Sequence, residues 1–258
     1  MAQNEMFSLA GQVAVVIGGG GVLGGAMATG LAQAGAHIAI LGRSKEHAET
    51  RAKSIAALGG EAMGLSCDAT SKAGLQQALD EILKRFGHVD VLINAAGVNS
   101  GTPFFEITEE EWQRILDIDL KSVFLACQVF GKAMVDAGNG GSIINISSAS
   151  SGPPLSKVFT YAVAKAGVNQ ITQFLARELA PHKIRVNAIL PGFFPAEQNR
   201  KLLTDERVAS ILGHTPMKRF GESTELVGAT VYLASRRASS FVTGSILNVD
   251  GGFMAMTI

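Results

Sequence analysis

The sequence VAVVIGGGGVLGG, from Val13 to Gly25, joins an apolar run rich in β-branched residues to a cluster of glycines. The run from Val13 to Ile17 is typical of a strand that is buried on both faces of a sheet. The glycines lead directly into Ala26 to Ala34, a segment rich in helix formers. In this order, a strand, a glycine loop and a helix allow backbone N–H groups and a helix N-terminus to bind a pyrophosphate.

A glycine cluster by itself also fits an ordinary tight turn. Its placement between a strand and a helix favours the phosphate site, because side chains in the loop would block the ligand. The candidate contacts are Gly18, Gly21, Val22, Leu23 and Gly24.

Apolar runs and helical segments continue to alternate along the chain, without an internal repeat or a low-complexity linker. Further strands are predicted at residues 37–41, 61–66, 89–93, 142–146, 184–189 and 245–249. This alternation predicts an α/β fold, a doubly wound parallel sheet in one domain over residues 1–258. The loops after the strands then meet at the carboxyl edge of the sheet and form one crevice.

The overall composition points to a small-molecule ligand. The 22 basic and 22 acidic residues balance, so no field of one sign favours nucleic acid or an anionic membrane. Cys67 and Cys127 are isolated and the five histidines form no HExxH pattern, so neither a disulfide framework nor a metal site is expected. No apolar run is long enough to span a bilayer and the start lacks a signal-peptide pattern, so a cytoplasmic location is expected.

The second and third predicted strands end at candidate contacts for an adenosine. Gly42 offers no acceptor to a ribose, whereas Arg43 could pair with a 2′-phosphate, which favours NADP over NAD without excluding NAD. Arg43 could also be an ordinary solvated loop residue. Asp68, beside Ala69, either reaches the adenine amino group or caps the helix that begins near Ser71.

Two later loops complete the predicted cofactor site. Asn94, Ala95, Ala96 and Gly97 follow the fourth strand, and their small size lets a ring pack against the backbone. Pro191, Gly192 and Phe194 follow the sixth strand and close the same crevice. Between these loops, residues 112–135 carry apolar side chains at helical spacing. That spacing predicts a core position for Ile115, Ile118, Val123 and Phe124.

A possible acid lies after the fifth strand. If the segment after Pro154 is helical, Tyr161 and Lys165 are four residues apart and share a face. Free tyrosine titrates near pH 10, and a nearby cation favours phenolate, so Lys165 would bring the phenol toward the range of a general acid or base. Ser148 supplies a hydroxyl thirteen residues before Tyr161. The pair alone would also fit a surface contact, but the glycine loop elsewhere favours an active site.

Taken in order, these motifs resemble the short-chain dehydrogenase/reductase family. The resemblance covers nearly all of the chain from Leu9 to Gly252. It is carried by Gly18 to Gly24, Asn94 to Gly97, Ser148, Tyr161, Lys165 and Pro191-Gly192. It implies a single Rossmann-type domain with seven parallel strands and helices on both faces, usually a homotetramer, that transfers a hydride between a nicotinamide and a carbonyl or alcohol.

The resemblance also implies roles for individual residues. Tyr161 is the proton donor to the carbonyl oxygen, Lys165 assists it and holds the nicotinamide ribose, and Ser148 binds the substrate oxygen. The segments 242–244 and 249–252 match the family's closing segment, which packs at a subunit interface together with the long helices.

The sequence departs from the family pattern in three respects, at four positions. Ile17 and Val22 replace a threonine and a glycine of the phosphate loop, so Gly21 or Gly24 must supply more of the close approach. Asp119 replaces an asparagine that anchors a proton-relay water, and it can accept from water but cannot donate when ionised. Ala196 replaces a threonine near the cofactor amide, which removes one hydroxyl contact.

Two stretches, Gly18 to Ala28 and Pro191 to Arg200, resemble the branch of D-mannonate oxidoreductases, also called fructuronate reductases. Thr215 to Gly221 is shared with that branch but occurs widely in the family, and the expected substrate loop covers about residues 192–220. Gln198, Asn199 and Arg200 could bind the hydroxyls and carboxylate of a sugar acid, although Arg200 also fits a solvated charge. A reductase of 5-ketogluconate or of a 3-oxoacyl thioester is an alternative, since Phe193, Phe194 and Met217 could line an acyl groove. A protein that binds a dinucleotide without catalysis is the alternative from another class.

Overall fold

The computed structural model describes residues 3–195 and 203–256, and within them it contains one sheet of seven parallel strands. The strands are β1 (Val13–Ile17), β2 (His37–Gly42), β3 (Ala62–Ser66), β4 (Val91–Asn94), β5 (Gly141–Ile146), β6 (Ile184–Pro191) and β7 (Ile246–Val249). Their spatial order is β3-β2-β1-β4-β5-β6-β7. The order reverses between β1 and β4, where open α/β sheets place their ligands. The predicted doubly wound sheet is confirmed.

Helices cover both faces of this sheet. They are α1 (Gln3–Met6), α2 (Val22–Gln33), α3 (Lys45–Ala57), α4 (Lys72–Phe86), α5 (Glu109–Leu116), α6 (Ser122–Ala137), α7 (Phe159–Leu179), α8 (Asp205–His214) and α9 (Leu226–Ala234). Side chains from α4, α6 and α7 pack on one face, and those from α2, α3 and α9 pack on the other. Each face receives alternate residues of β1, which explains why that strand is apolar throughout. No helix in the two described ranges is long and apolar enough to cross a membrane.

Side-chain caps fix where several helices begin. Ser44, Ser71, Thr108 and Thr204 each accept a hydrogen bond from the backbone N–H three residues further on. Such caps satisfy one of the free N–H groups in the first helical turn. Ser71 therefore caps α4, so the alternative that Asp68 caps this helix is wrong.

The first helix after the glycine loop begins four residues earlier than expected. α2 begins at Val22, so Gly24 and Gly25 lie in its first turns. A Cβ atom at Gly24 would lie 2.4 Å from the carbonyl oxygen of Gly18. The helix packs so closely on the end of the strand that there is no room for a side chain at Gly24. Close packing, and not loop flexibility, therefore explains this glycine.

The long helical segment after Trp112 is interrupted by a π-helical turn, Asp117–Lys121, between α5 and α6. A π turn holds one more residue than an α turn and changes which side chains face inward. Ile115 and Val123 are buried as expected, whereas Phe124 is 46% exposed, so its predicted core position is wrong. The same turn places Asp119 in the interior, where it is 0% exposed.

Candidate active site

The loops after β1 and β4 touch at the point where the strand order reverses. Gly18 has a φ of +81°, and a Cβ atom on it would lie 2.7 Å from the backbone nitrogen of Ala96. The backbone N–H of Ala95 donates to the carbonyl of Ile17 over 2.9 Å. Two of the predicted cofactor loops are thus in direct contact, and a side chain at Gly18 would force them apart.

The glycine loop has the features that a dinucleotide phosphate requires. Gly21 is the N-cap of α2 and provides no capping side chain, so the first N–H groups of the helix are left for a ligand. Val22, the first helical residue, is 49% exposed. Gly24 approaches the carbonyl of Gly18 of the same chain, and its expected close approach to a pyrophosphate stays a prediction. The residues present therefore fit a pyrophosphate.

A groove of about 920 Å³ lies beside the ends of β2 and β3. Arg43 and Asp68 line one side of it, and Trp112 and Arg114 of α5 line the other. The carboxylate of Asp68 accepts hydrogen bonds from the backbone N–H and the hydroxyl of Thr70, at 2.9 and 2.8 Å. These bonds hold the pKa of Asp68 below its ordinary value. Ala69 is buried beside this wall of the groove. Glu109, Glu110 and Asp117 also line the groove, so carboxylates outnumber the two arginines there, and the adenosine contacts of Arg43 and Asp68 stay predictions.

The reactive side chains lie on β5 and α7. Ser148 follows β5, and Tyr161 and Lys165 are on the first two turns of α7. The Lys165 ammonium lies 5.5 Å from the centre of the Tyr161 ring and donates to the carbonyl of Ile146 over 3.0 Å. The predicted helical pairing of the phenol with a cation is therefore present.

The strand end that carries Ser148 is tied directly to α7. The hydroxyl of Ser147 donates to the carbonyl of Lys165 over 3.4 Å. Lys165 is 3% exposed, while Ser148 and Tyr161 are partly accessible. The ammonium is thus enclosed by the protein, whereas the side chains of Ser148 and Tyr161 are partly accessible to a ligand.

Asp119 joins this group from the π-helical turn. Its Oδ2 atom accepts from the backbone N–H of Val98 over 3.0 Å, and its Oδ1 atom lies 3.4 Å from Lys165 Nζ. Among the described residues, Oδ1 has no hydrogen-bond donor. Burial raises the pKa of this carboxyl group, although Lys165 acts in the opposite direction. Helical spacing could not have found the contact, because it depends on the π turn.

Asn94 has a different environment from the neighbouring loop residues. It is 3% exposed, and its amide donates to the side-chain oxygen of Asn145 over 2.8 Å. Asn145 in turn donates to the hydroxyl of Thr172 over 2.9 Å. The Asn94 side chain thus links β4 to β5 and α7, while Ala95 and Gly97 lie at the crevice.

The loop after β6 is fixed by contacts with the end of the chain. A Cβ atom at Gly192 would lie 2.7 Å from the Cα atom of Asp250, so Pro191-Gly192 packs directly on the loop after β7. Phe194 is 9% exposed and packs against Gly221. Of the remaining predicted contacts, Ala196, Gln198, Asn199 and Arg200 lie outside the described residues.

Sequence reasoning missed the contribution of the C-terminal segment to the substrate side. The ring of Phe253 lies 5.2 Å from Phe193 and 4.6 Å from His214 of α8. Met254 packs on Gly152, in the loop between Ser148 and Tyr161. The resemblance assigned this segment to a subunit interface, and only the folded chain shows that it also packs around the substrate loop.

Comparison with known proteins gives the same architecture over almost the whole chain. The sequence profile of a family described as enoyl-(acyl carrier protein) reductase matches residues 21–254. A relative from Escherichia coli (strain K12), 2-dehydro-3-deoxy-D-gluconate 5-dehydrogenase, is 40% identical, with 96% of this chain and 98% of the relative covered.

Two solved structures are also similar. One is a gluconate 5-dehydrogenase from Burkholderia cenocepacia J2315 in complex with NADP and tartrate, with a TM-score of 0.94, 33% identity, and 98% of this chain and 99% of that chain covered. The other is a Haemophilus influenzae protein proposed to be a D-mannonate oxidoreductase, with bound NAD, a TM-score of 0.92, 35% identity and 97% of each chain covered. From its profile match and its relatives, the chain belongs to the short-chain dehydrogenase/reductase family.

Proposed function

We propose that the protein interconverts a 5-keto sugar acid of the gluconate series and the corresponding 5-hydroxy acid, with NADP(H) as the hydride carrier. The observation that carries this proposal is that the Tyr161–Lys165 pair of α7 and Ser148 at the end of β5 lie at the same edge of the sheet as a glycine loop that fits a pyrophosphate. A proton donor and a hydride site at one crevice are what carbonyl reduction requires.

Three side chains of the protein have separate roles in the proposed reaction. The chemistry that a bound nicotinamide supplies is the transfer of a hydride to or from carbon. In reduction, Tyr161 gives its proton to the carbonyl oxygen, and in oxidation its phenolate takes the proton from the alcohol. Ser148 donates a hydrogen bond to the same oxygen and holds it in place. Lys165 is buried behind the phenol, so its charge stabilises the phenolate that remains after reduction.

The choice of substrate rests on the relatives. The Escherichia coli relative and the Burkholderia structure both carry names for oxidation at carbon 5 of a gluconate. These names favour 5-ketogluconate over D-fructuronate, which the sequence analysis placed first. The Haemophilus structure, proposed to be a D-mannonate oxidoreductase, supports the D-fructuronate/D-mannonate pair as the second candidate.

A long acyl chain fits less well. Phe193 packs on Phe253, and Phe194 is buried against Gly221, so neither ring is free to line an apolar groove. Arg43, exposed at the end of β2, supports NADP as the preferred cofactor, and the Burkholderia structure contains that cofactor. The Haemophilus structure contains NAD, which keeps NAD as the alternative.

The proposal is tested by following NADPH oxidation with purified protein and 5-ketogluconate, beside D-fructuronate and an acetoacetyl thioester, with NADH in parallel. We expect selective turnover of 5-ketogluconate. Selective turnover of D-fructuronate would move the assignment to the second candidate. Turnover of any carbonyl would exclude a dinucleotide-binding protein without catalysis.

A Tyr161→Phe variant tests the assigned acid in the same assay. It should lose turnover by about 100-fold or more, because general acid catalysis typically contributes that much. Its affinity for NADPH, followed by fluorescence, should stay within about threefold of the parent, since the ring is retained. Retained turnover would overturn the role of Tyr161.

The family's usual homotetramer is also a proposal for this chain. Phe124 of α6 and Phe174 of α7 are 46% and 65% exposed, and a shallow apolar depression beside Phe124 is lined by Leu120, Gly167 and Ile171. Such a surface on the two long helices supports self-association through them. Sedimentation at micromolar concentration would distinguish a monomer, a dimer and a tetramer.

A further inference from the structure

Ser150 lies two residues after Ser148 and contacts its hydroxyl twice. The backbone N–H of Ser150 donates to Ser148 Oγ over 3.2 Å, and the Ser150 hydroxyl donates to the same atom over 2.9 Å. Ser150 is 4% exposed. Its hydroxyl therefore has little access to water and is directed at Ser148.

The two contacts determine how the Ser148 hydroxyl can be used. A serine hydroxyl has one proton to donate and two lone pairs with which to accept. Both acceptor positions of Ser148 are filled by Ser150, from its backbone and from its side chain. The proton of Ser148 is thus the one hydrogen-bonding element left for a substrate, and it can only donate.

From this geometry we infer that Ser150 is a positioning residue for the reaction: its hydroxyl fixes Ser148 as a donor to the substrate oxygen. The inference rests on the proposed function, since it assigns a direction to the Ser148 contact. A donor is needed most when negative charge develops on the oxygen during hydride transfer. A hydroxyl that already accepts two hydrogen bonds is also a stronger donor.

The neighbouring hydroxyls have other partners. Ser151 donates to the backbone carbonyl of Ser148 over 2.7 Å and accepts from the amide of Asn169 over 2.9 Å. The Ser147 hydroxyl lies within hydrogen-bond distance of Ser151 Oγ and of the Lys165 carbonyl, and its one proton is shared between these two acceptors. These contacts hold the loop, and among the described residues Ser150 alone donates to Ser148 Oγ. Ser151 is therefore a matched control, a hydroxyl in the same turn that does not touch the reacting group.

The test compares Ser150→Ala, Ser148→Ala and the double variant in the NADPH oxidation assay, with the carbonyl that the parent reduces best. We expect Ser150→Ala to lower kcat by about tenfold, the effect of one hydrogen bond that strengthens in the transition state. The KM for NADPH should change by less than about twofold. Ser148→Ala should lose about 100-fold, as expected when an oxyanion donor is removed.

The double variant separates positioning from a structural role. If Ser150 acts through Ser148, adding Ser150→Ala to Ser148→Ala should cost nothing further, within about twofold. An additional tenfold loss in the double variant would overturn the inference, because a disturbed loop lowers activity whether or not Ser148 is present. Ser150→Thr, which keeps a hydroxyl, should recover most of the loss, and Ser151→Ala should leave kcat within about threefold of the parent.

Failure of the inference can be distinguished from failure of the proposed function. If the parent reduces another carbonyl but not 5-ketogluconate, the substrate assignment fails and the comparison proceeds with that carbonyl. If Ser150→Ala retains full kcat on the carbonyl that is reduced, the inference fails and the substrate assignment stands. A parent that reduces no carbonyl at all would overturn both.

Discussion

The Oδ1 atom of Asp119 lies 3.4 Å from the Nζ atom of Lys165, and the two side chains are 0% and 3% exposed. Removing the carboxylate from water raises its pKa above the ordinary 3.8, while Lys165, the Val98 N–H and Arg114 lower it. Burial is the larger effect. The same carboxylate lies beside the cation that is proposed to assist Tyr161, so we expect Asp119 to affect both stability and catalysis.

The first prediction concerns stability. Because the pKa of Asp119 is raised in the folded state, protonation stabilises the fold below the unfolded value of about 3.8, and this contribution is lost as pH rises through the folded value. Asp119→Asn removes this dependence. The free energy of unfolding of the variant, relative to the parent, should therefore rise between about pH 4 and pH 7. Urea unfolding at several pH values measures the difference.

The prediction is tested by how the difference in unfolding free energy between variant and parent changes with pH, and not by its size. The size is also affected because the substitution leaves the Lys165 ammonium without a nearby carboxylate. That pairing exists only where Asp119 is ionised, so its loss is already contained in the raised pKa and does not reverse the sign of the slope. Asp136→Asn is the control, since Asp136 is 58% exposed and its pairing with Lys132 is screened by water. A difference between Asp119→Asn and the parent that stays flat or falls with pH would contradict the raised pKa.

The second prediction concerns the pH dependence of catalysis. An ionised Asp119 opposes the Lys165 charge, so the neutral amide of Asp119→Asn should make the phenolate of Tyr161 easier to form. The profile of kcat/KM for alcohol oxidation, which uses the phenolate as base, should shift to lower pH by on the order of one unit. Initial rates from about pH 6 to 10 measure the midpoint. An upward shift would mean that the carboxylate does not act through Lys165.

The third prediction tests the buried link between β4, β5 and α7. Asn145 accepts from Asn94 and donates to Thr172, at 2.8 and 2.9 Å. Asn145→Ala removes the oxygen acceptor of the buried Asn94 amide and the donor to Thr172, whose hydroxyl still donates to the Val168 carbonyl. It should therefore lower the free energy of unfolding by about 2 to 3 kcal/mol. Chemical denaturation measures the loss. Gln128→Ala, which removes an exposed amide bonded to Lys72, should change stability by less than about 0.5 kcal/mol.

The strands and the position of the crevice followed from the sequence because their signals are local. A β-branched run that is buried on both faces reads as a strand wherever it lies, and the seven predicted strands overlap the observed ones to within two residues at each end. Pairing of Tyr161 with Lys165 required only the helical period. Such features depend only on residues that are close together in the sequence, so they can be predicted without the fold.

The contacts that were missed depend on residues far apart in the chain. Asp119 meets Lys165 because a π turn rotates it inward, and apolar spacing placed Phe124 inside instead. Asn94 was expected in the loop after the fourth strand, but it is the last residue of β4, and its partner Asn145 is 51 residues away. The contact between Phe253 and Phe193 depends on the pairing of β6 with β7. For these segments several local conformations fit the sequence equally well, and tertiary packing determines which one forms.

The fourth prediction concerns Arg43, which is exposed beside the groove at the end of β2. If its guanidinium pairs with a 2′-phosphate, Arg43→Ala should raise the KM for NADPH by about 10-fold to 100-fold and change that for NADH by less than about twofold. Lys45→Ala is the control, because Lys45 is a nearby exposed cation that pairs with Glu49. Equal losses with both cofactors would show that Arg43 does not recognise the phosphate.

The fifth prediction concerns a carboxylate introduced at Gly42, where this sequence has no acidic side chain to bind the adenosine ribose. A Cβ atom at Gly42 would meet nothing within 4 Å among the described residues, so an aspartate fits without displacing its neighbours. Its carboxylate could accept hydrogen bonds from both ribose hydroxyls of NADH and would repel a 2′-phosphate. Gly42→Asp should therefore shift the ratio of kcat/KM for NADH to that for NADPH by about 100-fold toward NADH.

Gly42→Ala separates charge from bulk in the same measurement. It adds the Cβ atom without a carboxylate, and the open space beside Gly42 predicts that both cofactors keep their parental kcat/KM to within about threefold. If Gly42→Ala loses as much activity with NADPH as Gly42→Asp does, then a side chain of any kind obstructs the ribose. In that case the effect of Gly42→Asp comes from its bulk, and the predicted repulsion between its carboxylate and a 2′-phosphate is overturned.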